Sequence, residues 1–118
     1  MPTTEQFLRA ARLTANLTHP NIMPVYNMGL DAEGVPFSLM ELVPGDSLKM
    51  IVAKLREGDE TYRRNYPLDT LLGIFIKVCD AIAYAHSRGV LHLDIKPDNI
   101  RVGTFGEVLV CDWGLARV

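Results

Sequence analysis

Apolar residues recur along this chain with two different periods, and the points where the period changes divide it into helices and strands. Residues 3–17 carry Phe7, Leu8, Ala11 and Ala15 at helical spacing, and Thr3 and Gln6 stand where a capping box belongs. His19-Pro20-Asn21 stops that helix. Residues 22–30 then read as a strand, and Pro24 inside it points to an edge or irregular position, because proline gives no N–H to a ladder. Residues 31–34 make a turn into a second strand over 35–43, which carries Phe37, Leu39, Met40 and Leu42.

Pro44-Gly45-Asp46-Ser47 breaks the second strand and opens a short helix through Leu48, Ile51, Val52 and Leu55. Residues 56–67 are polar and charged, which predicts a mobile surface connection. The strongest helix spans 69–88, where Leu72, Phe75, Ile76, Cys79, Ile82, Ala83 and His86 recur on one face. Gly89 follows it at the place for a left-handed cap. Two short strands, 99–102 and 108–111, then flank the turn Gly103-Thr104-Phe105-Gly106. There is no internal repeat or low-complexity tract.

Composition narrows the class. The 118 residues suffice for one compact α+β unit, and the 48% apolar share is high for so small a domain. With a mean hydropathy of +0.11, some apolar surface is expected to seek a partner. A net charge of −2 with dispersed Lys and Arg leaves no electrostatic footprint for nucleic acid or an anionic membrane. No apolar run approaches the roughly 18 to 20 residues that span a bilayer, and Met1-Pro2-Thr3-Thr4-Glu5 has none of the features of a signal peptide, so a cytoplasmic location is expected. Cys79 and Cys111 have no metal-ligand spacing and read as reduced core residues, while His19 and His86 read as structural or exposed.

The chemistry is concentrated in His92-Leu93-Asp94-Ile95-Lys96-Pro97-Asp98-Asn99 and Asp112-Trp113-Gly114. This pattern resembles the H-R-D-L-x-x-x-N catalytic loop and D-F-G metal motif of protein kinases, with one change in each. A carboxylate in such a loop can also merely cap backbone amides, but its spacing to Asn99 favours the catalytic reading. The resemblance implies that Asp94 is the base accepting the substrate hydroxyl proton, a role worth roughly 10² to 10⁴ in rate. Lys96 stands where serine/threonine kinases carry a cation that reaches the transferring phosphate. Asn99 and Asp112 supply hard oxygen ligands for Mg²⁺ held together with ATP.

The likeness continues upstream. Leu17-Thr18-His19-Pro20-Asn21-Ile22 is similar to the turn after the kinase helix that carries a glutamate, and residues 40–48 are similar to the kinase hinge. On that likeness Met40 is the gatekeeper, the backbones of Glu41 and Val43 face adenine, and Ser47 stands at a ribose-binding position. Arg101 falls where the family has an apolar residue beneath adenine, so its stem would stack there and its charge would reach solvent. Trp113 would pack beside His92, making His92 a satisfied core histidine. The closest flavour is the bacterial serine/threonine group, carried by Val108-Leu109-Val110-Cys111-Asp112-Trp113-Gly114-Leu115-Ala116. The implied fold is a partial kinase-like domain, with 1–43 a remnant of the N-terminal lobe and 44–118 a remnant of the C-terminal lobe.

Other kinase parts are not among these residues. No G-x-G-x-x-G loop or V-A-I-K-like strand occurs, Ala10 stands where the family has glutamate, and Leu93 replaces the arginine before the catalytic aspartate. A single lost electrostatic donor costs about 2.7 to 4 kcal/mol in a transition state. The expectation is therefore a catalytically silent or very weak, pseudokinase-like interaction module. The alternative is an ATP- and Mg²⁺-dependent serine/threonine kinase completed by another chain. A homo-oligomer is also expected, with a second copy covering apolar surface, for example by exchange of the N-terminal helix.

Overall fold

A computed structural model describes residue 5 and residues 17–23, 25–30, 32–34, 36–40 and 44–111, with 25–30 and 36–40 described at the level of the backbone. The predicted helix at 3–17 falls almost wholly outside these residues, as do Ala10, Glu41, Val43, Asp112 and Trp113.

Strands β1 (Val25–Leu30) and β2 (Pro36–Met40) pair antiparallel, with Val25 opposite Met40 and Leu30 opposite Pro36. Gly34, in the connection between them, has φ +80°, a region that costs a residue with a Cβ about 1–2 kcal/mol. The expected first strand starts later than the sequence suggests. Ile22 instead forms a parallel bridge to Val110, and Met23 N–H donates to the Val110 carbonyl at 3.1 Å. The 19–23 segment is thereby laid along a second sheet. The His19 ring lies 5.2 Å from that of Tyr84 in a tilted contact, and the Asn21 side chain donates to the Val108 carbonyl.

The second sheet has the order β3-β4-β5, all antiparallel, from β3 (Gly45–Ser47), β4 (Ile100–Gly103) and β5 (Val108–Val110). Residues 44–47 were expected to be only a break, but Gly45–Ser47 is a strand. Its pairing partner lies more than fifty positions along the chain, so no local pattern reveals it. Gly45 is needed there. Its φ is +144°, and a Cβ would collide with the backbone of Val102.

Helix α1 (Leu48–Arg56) follows at once, capped by Ser47 Oγ, which accepts from Met50 N–H at 3.1 Å. The polar stretch expected to be a mobile connection contains helix α2 (Glu60–Asn65). Asp59 caps it through Tyr62 N–H, and the Tyr62 hydroxyl donates to Asp46 at 2.8 Å, fastening α2 to β3. These anchors are a cap and a tertiary bond, and neither shows as hydrophobic periodicity.

Helix α3 (Leu68–Ser87) matches its expected bounds to one residue. Its end is a Schellman motif: Gly89 at φ +77° donates to His86, and Val90 N–H reaches back to the Ala85 carbonyl. Val90 itself is buried in the core. The face of α3 is opposite to the one expected. Ile74, Val78, Ala81 and Ala85 are buried, whereas Leu72, Phe75 and Ile76 are 52%, 64% and 58% exposed. Cys79 is exposed too, so it is not a core residue, and Cys111 is half-buried. The helix is apolar on both sides, and the two alanines permit the close approach that the larger residues would prevent.

The main core joins these parts, and a smaller cluster of Met23, Leu109 and Cys111 lies beside it. Ile51 from α1 and Val108 and Val110 from β5 are fully enclosed, and Ile74, Val78, Ala81 and Ala85 of α3 pack with them. All three residues of β5 are buried, as expected of a strand covered on both faces.

Two substitutions test this arrangement. Ile51→Ala is expected to lower unfolding free energy by about 2–5 kcal/mol through the cavity it leaves. Gly45→Ala should cost at least about 2 kcal/mol by forcing β3 off β4. Urea melts followed by circular dichroism measure both, and a Gly45→Ala melt that overlays the parent curve would refute the role given to Gly45.

Candidate functional site

The loop from Val90 to Asn99 leaves the core and returns to it. Val90 and His92 are buried, Leu91 and Leu93 are exposed, and Asp94 is half-buried. Leu93 has φ +66°, an unfavourable conformation for a branched side chain, and it turns the chain sharply after His92. The turn brings Asp94 N–H to within 3.0 Å of His92 Nδ1. His92 Nδ1 therefore accepts, so the ring proton is on Nε2, which donates to the Cys111 carbonyl at 2.9 Å. With both nitrogens engaged and 2% exposure, His92 is a structural residue, as its sequence context predicts.

Pro97–Asn99 form a 3-10 turn with proline at its start, where the missing N–H costs nothing. Asn99 ends buried at 6% exposure. Its side-chain amide donates to the Asp94 carbonyl at 2.8 Å and to Asp94 Oδ2 at 3.3 Å. Its backbone carbonyl accepts from Cys111 N–H at 2.7 Å. Lys96 Nζ lies 3.7 Å from Asp94 Oδ1, with half of its side chain in solvent, so this pair contributes under about 1 kcal/mol and the ammonium is free to swing. Lys49 makes a similarly exposed pair with Asp98.

The three described residues assigned to catalysis and metal binding thus converge. Asp94 presents one carboxylate oxygen to the Asn99 amide and the other toward the Lys96 ammonium. Because both Asn99 bonds use its nitrogen, the amide oxygen takes no hydrogen bond among the described residues. An amide oxygen in that state is a hard donor of the kind Mg²⁺ takes, so Asn99 fits the ion as one ligand. Asp112 follows Cys111 directly in the chain and lies outside the described residues.

The expected nucleotide-binding residues are distributed differently. Ser47 and Arg101 are register partners across β3 and β4, so the two are brought together. Ser47 Oγ is occupied as an acceptor by the α1 cap, leaving its hydroxyl proton to donate. The Arg101 guanidinium does not run out to solvent as expected; it donates to the Gly45 carbonyl at 2.9 Å in a half-buried setting. That bond ties β4 to the first residue of β3, and only the sheet register exposes it. Met40 ends β2, while Glu41 and Val43 fall outside the described residues.

The loop, pinned through His92, thus brings a carboxylate, an ammonium and an oriented amide together. Comparison with known proteins identifies the family. The protein kinase domain family matches residues 2–118. The serine/threonine-protein kinase PknD of Protochlamydia amoebophila is 44% identical over 117 residues, covering 96% of this chain and 12% of that protein. The PknD kinases of Chlamydia trachomatis serovar D and Chlamydia felis are 41% and 38% identical over 115 residues, again across 95% of this chain and 12% of theirs. The chain belongs to the protein kinase family, and it spans about an eighth of the length of these serine/threonine-kinase relatives.

Asn99→Ala is expected to lower stability by about 1–3 kcal/mol, because it removes the amide that holds Asp94 and empties a buried site. Amide hydrogen exchange should quicken across 92–99 while α1 is unchanged. Equal protection in both proteins would show that Asn99 does not organise the loop.

Proposed function

We propose that this chain carries the catalytic-loop portion of a serine/threonine protein kinase and is silent or very weak in phosphotransfer by itself. Asp94 accepts the hydroxyl proton of the substrate, and Lys96 moves from Asp94 toward the transferring phosphate. Asn99 and Asp112 would hold Mg²⁺, which when bound neutralises charge on the ATP phosphates. Met40, Glu41 and Val43 would line the adenine edge, with Ser47 toward the ribose and Arg101 bracing the strand beneath it. The convergence of Asp94, Lys96 and Asn99 is the observation that supports this reading.

The weakness follows from what phosphoryl transfer needs. With little covalent work to do, the protein contributes position and charge, and the glycine-rich loop and its lysine supply the phosphate grip. Neither is among these 118 residues. A pseudokinase-like interaction module is therefore the leading reading for the isolated chain. The well-formed Asp94–Asn99 geometry favours the second reading, an ATP- and Mg²⁺-dependent kinase completed by further polypeptide. Among the described residues no helix is long and apolar enough to cross a membrane.

The exposed side of α3 bears on partners. Leu68, Leu72, Phe75 and Ile76 stand in solvent there, and Leu91, Leu93 and Ile95 are exposed along the loop. Such apolar surface is costly in water. A second copy of the chain is the proposed cover, giving a homo-oligomer.

Two measurements decide among these readings. Calorimetric titration of ATP with Mg²⁺ is expected to show at most weak, metal-dependent binding that disappears in Asp112→Ala, without turnover of a serine peptide. Turnover at about 1 per second or faster would place the isolated chain among active kinases and sink the silent reading. Light scattering should report an oligomer that dissociates in Phe75→Glu, and a monodisperse monomer at micromolar concentration would remove the second copy.

A further inference from the structure

A cavity of about 720 Å³ opens between α2, the first half of α3 and the β4–β5 hairpin. None of the residues assigned above to phosphotransfer or to nucleotide lines it. Its volume falls within the roughly 300–1,000 Å³ of small-molecule sites. Ile74, Val102 and Val108 give it an apolar floor, and all three are buried. Tyr62 and Tyr66 form an aromatic wall, their rings stacked with centroids 5.9 Å apart and planes 29° from parallel.

One carboxylate, that of Asp46, lines this space. Its Oδ2 accepts from the Tyr62 hydroxyl at 2.8 Å. Among the described residues its other oxygen takes no hydrogen bond, and no cation pairs with it. Lys77 is the cation at the cavity, but it is exposed and its ammonium is directed at the Gly106 carbonyl at 3.3 Å. The space therefore combines apolar surface, aromatic faces and a negative charge without a counter-ion. Aromatic faces attract cations within about 6 Å of the ring centroid, and a carboxylate adds to that field.

The tyrosines report the same field. The Tyr62 hydroxyl is raised above its ordinary value of 10.0, first by its hydrogen bond to Asp46, then by burial and by the negative charge of Asp46. Tyr66 is raised by burial and then by Asp46. Both phenols stay neutral where the carboxylate holds off further negative charge, and the same field repels an anionic ligand.

We propose that this cavity binds an organic cation with an apolar body, an amidinium or guanidinium whose charge meets Asp46 and whose stem lies against Tyr62, Tyr66 and Ile74. The cation has two chemical sources, the arginine side chain of a polypeptide or a small free amidine. The site is separate from the catalytic loop, so it stands or falls independently of the phosphotransfer reading.

Amide NMR of the full chain tests it with benzamidine as probe and benzoate as the control of opposite charge. Millimolar benzamidine is expected to shift Tyr62, Tyr66, Gly73 and Gly103, while benzoate leaves them in place. Asp46→Asn keeps an acceptor for the Tyr62 hydroxyl and removes the charge, and it should weaken benzamidine by roughly fivefold. Tyr66→Leu should weaken it by a similar factor through loss of the ring. Resonances of Ile51 and Val110 report that each variant remains folded. Equal shifts with benzoate, or unchanged affinity in a folded Asp46→Asn protein, would overturn the proposal. N-acetyl-phenylalanyl-arginine amide separates the sources. Binding about tenfold tighter than benzamidine assigns the site to arginine of a polypeptide, and equal or weaker binding assigns it to free amidines.

Discussion

The N–H of Cys111 donates to the carbonyl of Asn99, and its own carbonyl accepts from Nε2 of His92. Through one residue, the beginning and the end of the 92–99 loop are fastened to the end of β5. That strand is buried along its whole length and receives contacts from α3 on one side and from the 19–23 segment on its edge. The loop is thus positioned by the most enclosed of the strands whose burial is described. Its polar residues do not hold one another in place unaided: the Lys96 pair is long and wet, and the Asn99 amide matters because Asn99 is already anchored. Rigidity passes from apolar burial to backbone hydrogen bonds, and from these to the side chains of Asp94 and Asn99.

Helix α3 shows the other consequence of an apolar-rich chain. Its small face packs the core, and its large face stands in water. A helix with a second apolar face of large residues beside its packed one exposes surface that a further element or partner can cover. The same helix closes one side of the Asp46 cavity through Gly73, Ile74 and Lys77. One element therefore supports the loop, borders a cavity and offers an unshielded surface, each with a different set of residues around its circumference.

Much was legible from residue order alone. The bounds of α3, its glycine cap, the helix after Ser47 and the β4–β5 hairpin all follow from signals within a few positions. The motif that His92 shares with kinases gives it a structural place, and its burial with both ring nitrogens engaged agrees with that. What escaped was set at long range. Strand β3 depends on pairing with β4, helix α2 on the bond from Tyr62 to Asp46, and the destination of the Arg101 charge on the Gly45 carbonyl. The buried face of α3 escaped for a different reason. Two apolar stripes fit the same period, and size complementarity with β5 chose between them.

By itself the sequence determined the protein kinase family, through the resemblance of residues 92–99 and 112–114 to the kinase motifs, and the local elements that carry the described part of them, because motifs, caps and turns rest on residues a few positions apart. The tertiary structure decided which face of α3 is buried, how the Asn99 amide turns its nitrogen to Asp94, and where Asp46 meets the two tyrosines. Those outcomes depend on which distant segments share a core, and burial and hydrogen-bond satisfaction select among arrangements that local periodicity leaves equal.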